Sequence, residues 1–265
     1  MAIEHDELAF EERLIKYLTQ LGGTKQWDYR PEIKTTADLW ENFRRIVYQL
    51  NPDKLDQPLS ASEFSQVQRE LIRQTKTPYL AGQFLYGYDG VSQLEIDRDD
   101  GKHVHLTIFD QREVGAGRTV YQVVSQIERP AVIPGRKPRR FDTTLLINGL
   151  PIIQIEEKAD GHDVSEALNQ MQQYVDERQF SDIYGLVQVL VAMTPHDTRY
   201  LATPATAAQF NLDFAFRWQD RETNDPVLLW QQFANQVLSI PMAHMLATNY
   251  MILDGTAGKE MLKVM

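Results

Sequence analysis

Residues 139–158 read RRFDTTLLINGLPIIQIEEK and contain the pattern from which the rest of the chain is interpreted. Two runs of β-forming residues flank Asn148-Gly149, a dipeptide typical of tight turns because both residues accept positive φ angles. Side chains alternate between the two faces of a strand, so a hairpin places every second residue on the same side. The stretch therefore predicts a β-hairpin whose strands are Asp142–Asn148 and Pro151–Lys158.

The length of the turn decides which side chains share a face. A three-residue turn sets Asp142 opposite Glu156 and Ile147 opposite Pro151, whereas a two-residue turn sets Asp142 opposite Ile155. We expect the three-residue turn, because it leaves one face almost wholly apolar and burial fixes the register. The apolar face then holds Thr143, Leu145, Ile147, Pro151, Ile153 and Ile155. The other face holds Asp142, Thr144, Leu146, Ile152, Gln154, Glu156 and Lys158.

The polar face brings together two carboxylates and an ammonium group. Asp142 and Glu156 repel each other unless a cation lies between them, and oxygen ligands suit Mg²⁺ or Mn²⁺. Lys158 lies on the same face, where it could orient a water or stabilise charge on a phosphate. This arrangement predicts phosphodiester hydrolysis.

The alternative is a solvated face with a weak cross-strand salt bridge. A Glu-x-Lys tripeptide does not decide between the two, since Glu32-Ile33-Lys34 repeats it between predicted helices, where no hairpin gathers its carboxylates. The hairpin around Asp142 and Glu156 favours the catalytic interpretation.

Outward from the hairpin, apolar residues at 3-4 spacing predict four helices. They are Glu7–Leu21, stopped by Gly22-Gly23, then Asp38–Leu50, Glu63–Gln74 and Val164–Arg178, the last capped by Asp163 and Glu166.

Residues rich in Tyr, Val, Thr and Phe predict antiparallel strands over Tyr79–Ile133. Leu186–Met193 predicts a strand buried on both faces. The tail from Val227 onward is predicted to be helical, and we expect it to continue into a longer protein.

Composition bounds the classes of function. Of the 265 residues, 43% are hydrophobic and the net charge is −10, which excludes a protein that coats DNA through bulk charge. The chain has no cysteine, which excludes disulfides, thiolate nucleophiles and Cys-ligated zinc. No apolar run approaches the roughly 18 residues of a membrane span, and the N-terminus lacks the features of a signal peptide. We expect a soluble cytoplasmic chain without a membrane partner.

A local positive patch precedes the hairpin. Residues 129–140 form a predicted loop with three prolines and five basic side chains. Four of these side chains would lie at the mouth of the site and contact DNA phosphates, the alternative being a solvated loop. They are Arg136, Lys137, Arg139 and Arg140.

Two other motifs are weaker. Gly255–Lys259 suggests a phosphate loop, but Leu253 and Glu260 occupy positions where the motif needs glycine and Ser/Thr. His103-Val104-His105 lacks the cysteine or carboxylates that would complete a zinc site, so we expect a surface strand.

The hairpin, the turn sequence Asn148–Pro151 and the later Gln170-Met171-Gln172-Gln173-Tyr174 together resemble a known family. It is the N-terminal nuclease region of the restriction (R) subunit of type I restriction-modification enzymes, in the PD-(D/E)xK superfamily with an added Gln-x-x-x-Tyr motif. The resemblance is strongest across about Arg139–Tyr174. Phe141 stands where the family has proline, which matters little because the following aspartate supplies the ligand.

The resemblance implies a role for each matching residue. Asp142 and Glu156, with the backbone carbonyl of Glu157, would bind one or two Mg²⁺ ions, or Mn²⁺ in their place. Lys158 would position or activate the attacking water. Three more residues complete the implied site: Gln170 and Tyr174, which would position DNA, and Glu11, which resembles a helix glutamate that some superfamily members bring to the metal.

The expected fold class is α/β, with a central mixed sheet flanked by helices and an N-terminal helical portion. We expect an endonuclease domain over residues 1–225 with its core at about 79–200, and a helical linker over 226–265. The linker would lead towards an ATP-dependent translocase absent from this chain, so ATP would serve only the motor of the full-length subunit. The implied activity is that of a Mg²⁺-dependent type I site-specific deoxyribonuclease. Its partners would be double-stranded DNA and the methyltransferase and specificity subunits.

Two alternatives remain. Another nuclease of the superfamily, such as a DNA repair enzyme, is disfavoured by the Asn148–Pro151 turn and by the spacing of Gln170 and Tyr174. A non-catalytic module that docks onto the assembly or binds DNA is disfavoured by the intact trio of Asp142, Glu156 and Lys158.

Overall fold

The predicted hairpin lies in the middle of a mixed sheet. The structure is a computed structural model that describes residues 2–21, 27–115, 117–255 and 261–264. Numbered along the chain, its strands are β1 (Asp28–Tyr29), β2 (Val91–Asp97), β3 (His103–Asp110), β4 (Tyr121–Arg129), β5 (Arg139–Ile147), β6 (Leu150–Glu157), β7 (Val189–Met193), β8 (Thr198–Ala202), β9 (Met251–Asp254) and β10 (Met261–Val264).

Six strands form the main sheet, in the order β1-β4-β5-β6-β7-β8. Strands β4, β5 and β6 are antiparallel neighbours, while β1 runs parallel to β4 and β7 runs parallel to β6. Every residue of β6 and β7 is buried, as expected of strands covered on both faces. The predicted central mixed sheet and the doubly buried strand are confirmed.

Helices cover the sheet and form the N-terminal portion. They are α1 (Ala2–Gln20), α2 (Thr36–Leu50), α3 (Ala61–Gln74), α4 (Pro78–Tyr86), α5 (Val164–Asp176), α6 (Trp230–Val237) and α7 (Ile240–Thr248). Capping boxes begin three of them, from Thr35, Ser60 and Asp163. The four predicted helices are confirmed, while the proposed stop at Gly22-Gly23 lies outside the described residues.

The prediction of strands throughout Tyr79–Ile133 is wrong at its start. Thr77 accepts a hydrogen bond from the Leu80 N–H, and Pro78 occupies the first turn of α4. Threonine at the cap and proline at the first helical position both favour a helix there, and they outweigh the aromatic residues that suggested a strand. The strands begin only at Val91, where β2 and β3 form a separate two-stranded sheet.

The prediction of a helical tail is wrong beyond Thr248. After α6 and α7, strands β9 and β10 pair in an antiparallel arrangement, because Met251-Ile252-Leu253 is a short apolar run that packs as a strand. Residues 256–260, which include most of the phosphate-loop-like sequence, lie outside the described residues. In the part of the chain that is described, no helix has the length and apolar character that crossing a bilayer requires.

Candidate active site

The hairpin turn has two residues rather than the predicted three, since Ile147 pairs with Leu150 instead of Pro151. An irregularity between Leu145 and Leu146 shifts the register, so that Thr143 pairs with Ile155. Leu150, which we placed in the turn, is thus the first residue of β6. A bulge within the strand pair compensates for the shorter turn, as antiparallel strands allow. Continued by one residue, the register sets Asp142 opposite Glu156, as predicted.

The predicted division into an apolar and a polar face is also wrong, because both faces of the hairpin are covered. Helix α1 contacts β5 and β6 on one side, and α5 contacts β6 and β7 on the other. Glu156 and Glu157 are both almost fully buried. Their side chains point to opposite faces of the sheet: Glu156 faces α5, and Glu157 faces α1.

On the α5 side, Glu156 is bound by the Gln-x-x-x-Tyr motif. Gln170 Nε2 donates to Glu156 Oε1 at 2.5 Å, and the Tyr174 hydroxyl donates to the same oxygen at 3.3 Å. Gln170 also lies 2.6 Å from the Tyr174 hydroxyl, as i and i+4 residues of one helix face can. Phe141 packs on the Tyr174 ring at 4.8 Å between centroids. The motif therefore fixes the orientation of Glu156.

On the α1 side, three carboxylates converge. Glu11, Asp142 and Glu157 each place an oxygen within 4.8 Å of the others. The Glu157 N–H donates to Asp142 Oδ2 at 3.1 Å, so Asp142 is fixed to the neighbouring strand. Among the described residues, both carboxylate oxygens of Glu157 and Oε2 of Glu156 are buried without a hydrogen-bond partner. Buried polar atoms are seldom left unsatisfied, so these oxygens fit the role of ligands to a cation.

Burial and mutual repulsion act on these carboxyl groups. Burial raises the pKa of Glu156 well above its usual value, and the charge of Asp142 raises it further. The pKa of Glu157 is raised in the same way by burial and then by Asp142 and Glu11. Burial also raises the pKa of Glu11 to about 7. Because a divalent cation would relieve this repulsion and satisfy the free oxygens, the donor set fits a hard metal ion.

Lys158 follows directly after β6. Its Nζ lies 3.4 Å from Glu7 Oε1 on α1, and its backbone N–H donates to the Met193 carbonyl. Its charge lowers the pKa of both Glu156 and Glu157, which sets it beside the acidic cluster. The predicted residues thus lie around the end of the hairpin on its two faces, with Gln170 and Tyr174 beside Glu156 and with Glu11 beside Asp142.

The predicted basic patch is divided. Arg139 donates from Nε and Nη2 to the two oxygens of Glu177, at 2.6 and 2.5 Å, and is partly buried. Arg136 is half exposed, with Nη2 3.9 Å from Asp176 Oδ2. Lys137 and Arg140 are exposed.

Sequence reasoning missed two neighbours of the cluster. Gln126 donates from Nε2 to Glu11 Oε2, and Lys34 Nζ donates to the Ser125 carbonyl at 2.9 Å. Lys34 belongs to the Glu-x-Lys sequence that we set aside, and residues 28–35 run parallel to β4 beside the site. No local pattern could have revealed this, because the contact depends on a strand pair almost 100 residues apart.

The sheet and the acidic cluster define an α/β domain with a carboxylate-rich, cation-compatible site. Residues 7–209 match the family described as "Type I restriction enzyme R protein N terminus (HSDR_N)". The chain belongs to this family, and the family predicted from the hairpin is confirmed.

Curated relatives agree with this assignment. The chain is 27% identical over 251 residues to "Type I restriction enzyme SauMSSORF170P endonuclease subunit" of Staphylococcus aureus (strain MSSA476), covering 94% of this chain and 25% of that protein. It is 33% identical over 122 residues to "Type I restriction enzyme EcoprrI endonuclease subunit" of Escherichia coli, covering 45% of this chain and 37% of that protein. The chain spans about a quarter of the length of its staphylococcal relatives.

Proposed function

We propose that this chain is the nuclease part of a type I restriction enzyme R subunit and that it hydrolyses phosphodiester bonds of double-stranded DNA with a divalent metal ion. One observation carries the proposal: the carboxylates of Glu11, Asp142 and Glu157 converge at the end of the hairpin, where the buried Glu156 and Lys158 also interact with Asp142 or Glu157. Such a cluster is costly unless it binds a cation. The endonuclease subunits named among the relatives support the same activity.

The metal ligands would be Asp142 and Glu156 with the backbone carbonyl of Glu157, and Glu11 would complete the set. The three carboxylates on the α1 side, Glu11, Asp142 and Glu157, support a role for the Glu157 side chain as well. Oxygen donors of this kind suit Mg²⁺, with Mn²⁺ as a substitute. When bound, the metal would polarise the phosphate and supply a more acidic water.

The remaining residues act around that centre. Lys158 would hold the attacking water or neutralise charge that develops on the phosphate, since its ammonium group adjoins the acidic cluster. Gln170 and Tyr174 would act mainly by holding Glu156, to which both donate. Their proposed influence on the DNA strand would then pass through the orientation of Glu156.

Contact with DNA would come from the exposed basic side chains before the hairpin, Arg136, Lys137 and Arg140, because phosphate contacts need accessible cations. Arg139 would serve the stability of this edge through Glu177. The specificity subunit would select the sequence, and the methyltransferase subunits would be further partners of the assembly. ATP would be bound by the other part of the R subunit.

Cleavage of supercoiled plasmid by the full R subunit in its complex tests this function. With Mg²⁺ we expect cutting by the parent and loss of at least a hundredfold in Asp142→Asn, while EDTA abolishes both. Binding of the complex to DNA should survive the substitution. Equal cutting by Asp142→Asn would contradict the proposal and leave a non-catalytic docking module as the explanation.

A further inference from the structure

Strand β4 is distorted at the residue that faces Asp142. The ladder between β4 and β5 runs from Tyr121↔Ile147 to Arg129↔Arg139 in one register, which sets Gln126 opposite Asp142. These two described residues form no ladder pair, although the pairs on both sides of them do form. Gln126 has φ 59°, in the left-handed region that residues with side chains seldom adopt. Such backbone outliers collect at functional sites, where the surrounding structure holds them in place.

Two side chains of one neighbouring segment support this distortion through Ser125. Lys34 Nζ donates to the carbonyl of Ser125, the residue just before the distortion, at 2.9 Å. The Tyr29 hydroxyl lies 3.1 Å from Ser125 Oγ. Both partners come from the segment that runs parallel to β4. The unusual backbone is therefore a supported feature of the fold rather than a frayed end of a strand.

The side chain of Gln126 meets the acidic cluster. Its amide donates to Oε2 of Glu11, the carboxylate that α1 contributes next to Asp142 and Glu157. This hydrogen bond opposes the effect of burial on Glu11, because it favours the charged carboxylate. A regular strand would direct residue 126 along the normal pleat, so the left-handed backbone allows the amide to reach α1.

We propose that Gln126 is a positioning residue of the metal site, and that its left-handed backbone serves to hold the Glu11 carboxylate towards the cation shared with Asp142 and Glu157. This inference rests on the proposed function and extends it to a residue outside the catalytic motifs. An amide that donates to a ligating carboxylate fixes the lone pairs that face the metal, as outer-shell partners of metal ligands commonly do.

Gln126→Gly removes the side-chain amide but leaves the backbone free to keep φ 59°, because glycine accepts positive φ angles. The variant therefore tests the side chain alone. In calorimetric titrations with Mn²⁺ alone we expect about tenfold weaker binding by this variant. Its thermal unfolding midpoint without metal should change little, because the hydrogen bond lost to Glu11 is offset by relief of the strained backbone. Asn224→Gly is the matched control, since Asn224 also has a left-handed backbone (φ 60°) but is exposed, whereas Glu11 accepts its hydrogen bond from Gln126. The control should bind Mn²⁺ with the parent affinity.

A double variant identifies the mechanism. If Gln126 acts through Glu11, adding Gln126→Gly to Glu11→Gln should weaken Mn²⁺ binding little further. Parent affinity in Gln126→Gly, or a full tenfold loss on top of Glu11→Gln, would overturn the positioning role. Asp142→Ala distinguishes failure of the Gln126 role from failure of the metal site. Loss of Mn²⁺ binding there with parent affinity in Gln126→Gly rejects only the role of Gln126, whereas parent affinity in Asp142→Ala rejects the metal site itself.

Discussion

The Tyr174 hydroxyl lies 3.3 Å from Oε1 of Glu156 and donates to it, so a helix residue 18 positions later in the chain orients the buried carboxylate of the hairpin. Gln170 donates to the same oxygen. The Gln-x-x-x-Tyr motif is thereby connected to Glu156, whose pKa the charge of Asp142 raises in turn.

Tyr174→Phe should lower the cleavage rate strongly and the free energy of unfolding only slightly. The ring can still pack on Phe141, but Glu156 loses a donor. We expect about 1 kcal/mol or less of lost stability and a decrease in the cleavage rate of about tenfold or more. Urea unfolding and plasmid cleavage measure the two effects. Tyr200→Phe, at a buried tyrosine on β8, is the control and should cut at the parent rate; a Tyr174→Phe enzyme that also cuts at that rate would deny the motif its role.

Glu157→Gln should have opposite effects with and without metal. Both oxygens of Glu157 are buried and unpartnered among the described residues, and burial, followed by repulsion from Asp142, raises its pKa. Removing this carboxylate should raise the thermal midpoint of the metal-free protein. The same variant should show a smaller rise on adding Mn²⁺, where the parent gains about 2.7 kcal/mol at a hundredfold excess over Kd. Differential scanning calorimetry measures both midpoints. A lower midpoint for the metal-free variant than for the metal-free parent would contradict the repulsion among Glu11, Asp142 and Glu157.

His244 should make the fold sensitive to mild acid. Burial lowers its pKa to about 4, so the folded protein resists its protonation while the unfolded chain accepts a proton near pH 6.5. The unfolded state therefore binds more protons between pH 6.5 and 4, and His244 costs about 1.4 kcal/mol of stability for each unit the pH falls in that window.

Urea unfolding at pH 7 and pH 5 measures this effect. His244→Gln should lose less stability than the parent over this range. His103→Gln is the control: His103 is exposed and hydrogen bonding to Asp97 raises its pKa, so removing it should not reduce the loss. Equal losses in His244→Gln and the parent would show that another group causes the acid sensitivity.

Two neighbouring cations of the basic patch should behave differently. Lys137 is exposed, so Lys137→Ala should weaken DNA binding and reduce the salt slope by about one, without loss of stability. Arg139 is paired with the buried Glu177, so Arg139→Ala should cost roughly 2 kcal/mol of stability by removing the charged partner and leaving that carboxylate only the Gln173 amide. Salt titrations of DNA binding and urea unfolding separate the two, and a change of salt slope in Arg139→Ala alone would reverse the assignment.

Local patterns predicted a large part of this fold. The capped helices and the doubly buried strand β7 follow from apolar spacing and composition, which act over a few residues. The positions of Asp142, Glu156 and Lys158 followed from the period of two along the hairpin. That prediction of their register holds even though the turn itself differs, because the bulge near Leu145 compensates for the shorter turn.

The rest depends on contacts between distant segments. Whether Glu157 faces solvent or a second acidic residue is decided by α1, which lies more than 130 residues earlier. The left-handed backbone of Gln126 leaves no mark in a sequence where glutamine is ordinary. The α4 helix was missed because aromatic residues favour strands, while a single threonine cap and a proline decided the outcome.

Cleavage of supercoiled plasmid by the assembled enzyme carrying Lys158→Ala shows whether this hairpin hydrolyses DNA. Lys102→Ala, at an exposed lysine bound to Asp100, is the matched control. We expect that Lys158→Ala still binds DNA and Mn²⁺ but cuts at least a hundredfold more slowly, while the control cuts like the parent. Cutting at the parent rate by Lys158→Ala would contradict the assignment of phosphodiester hydrolysis to this hairpin.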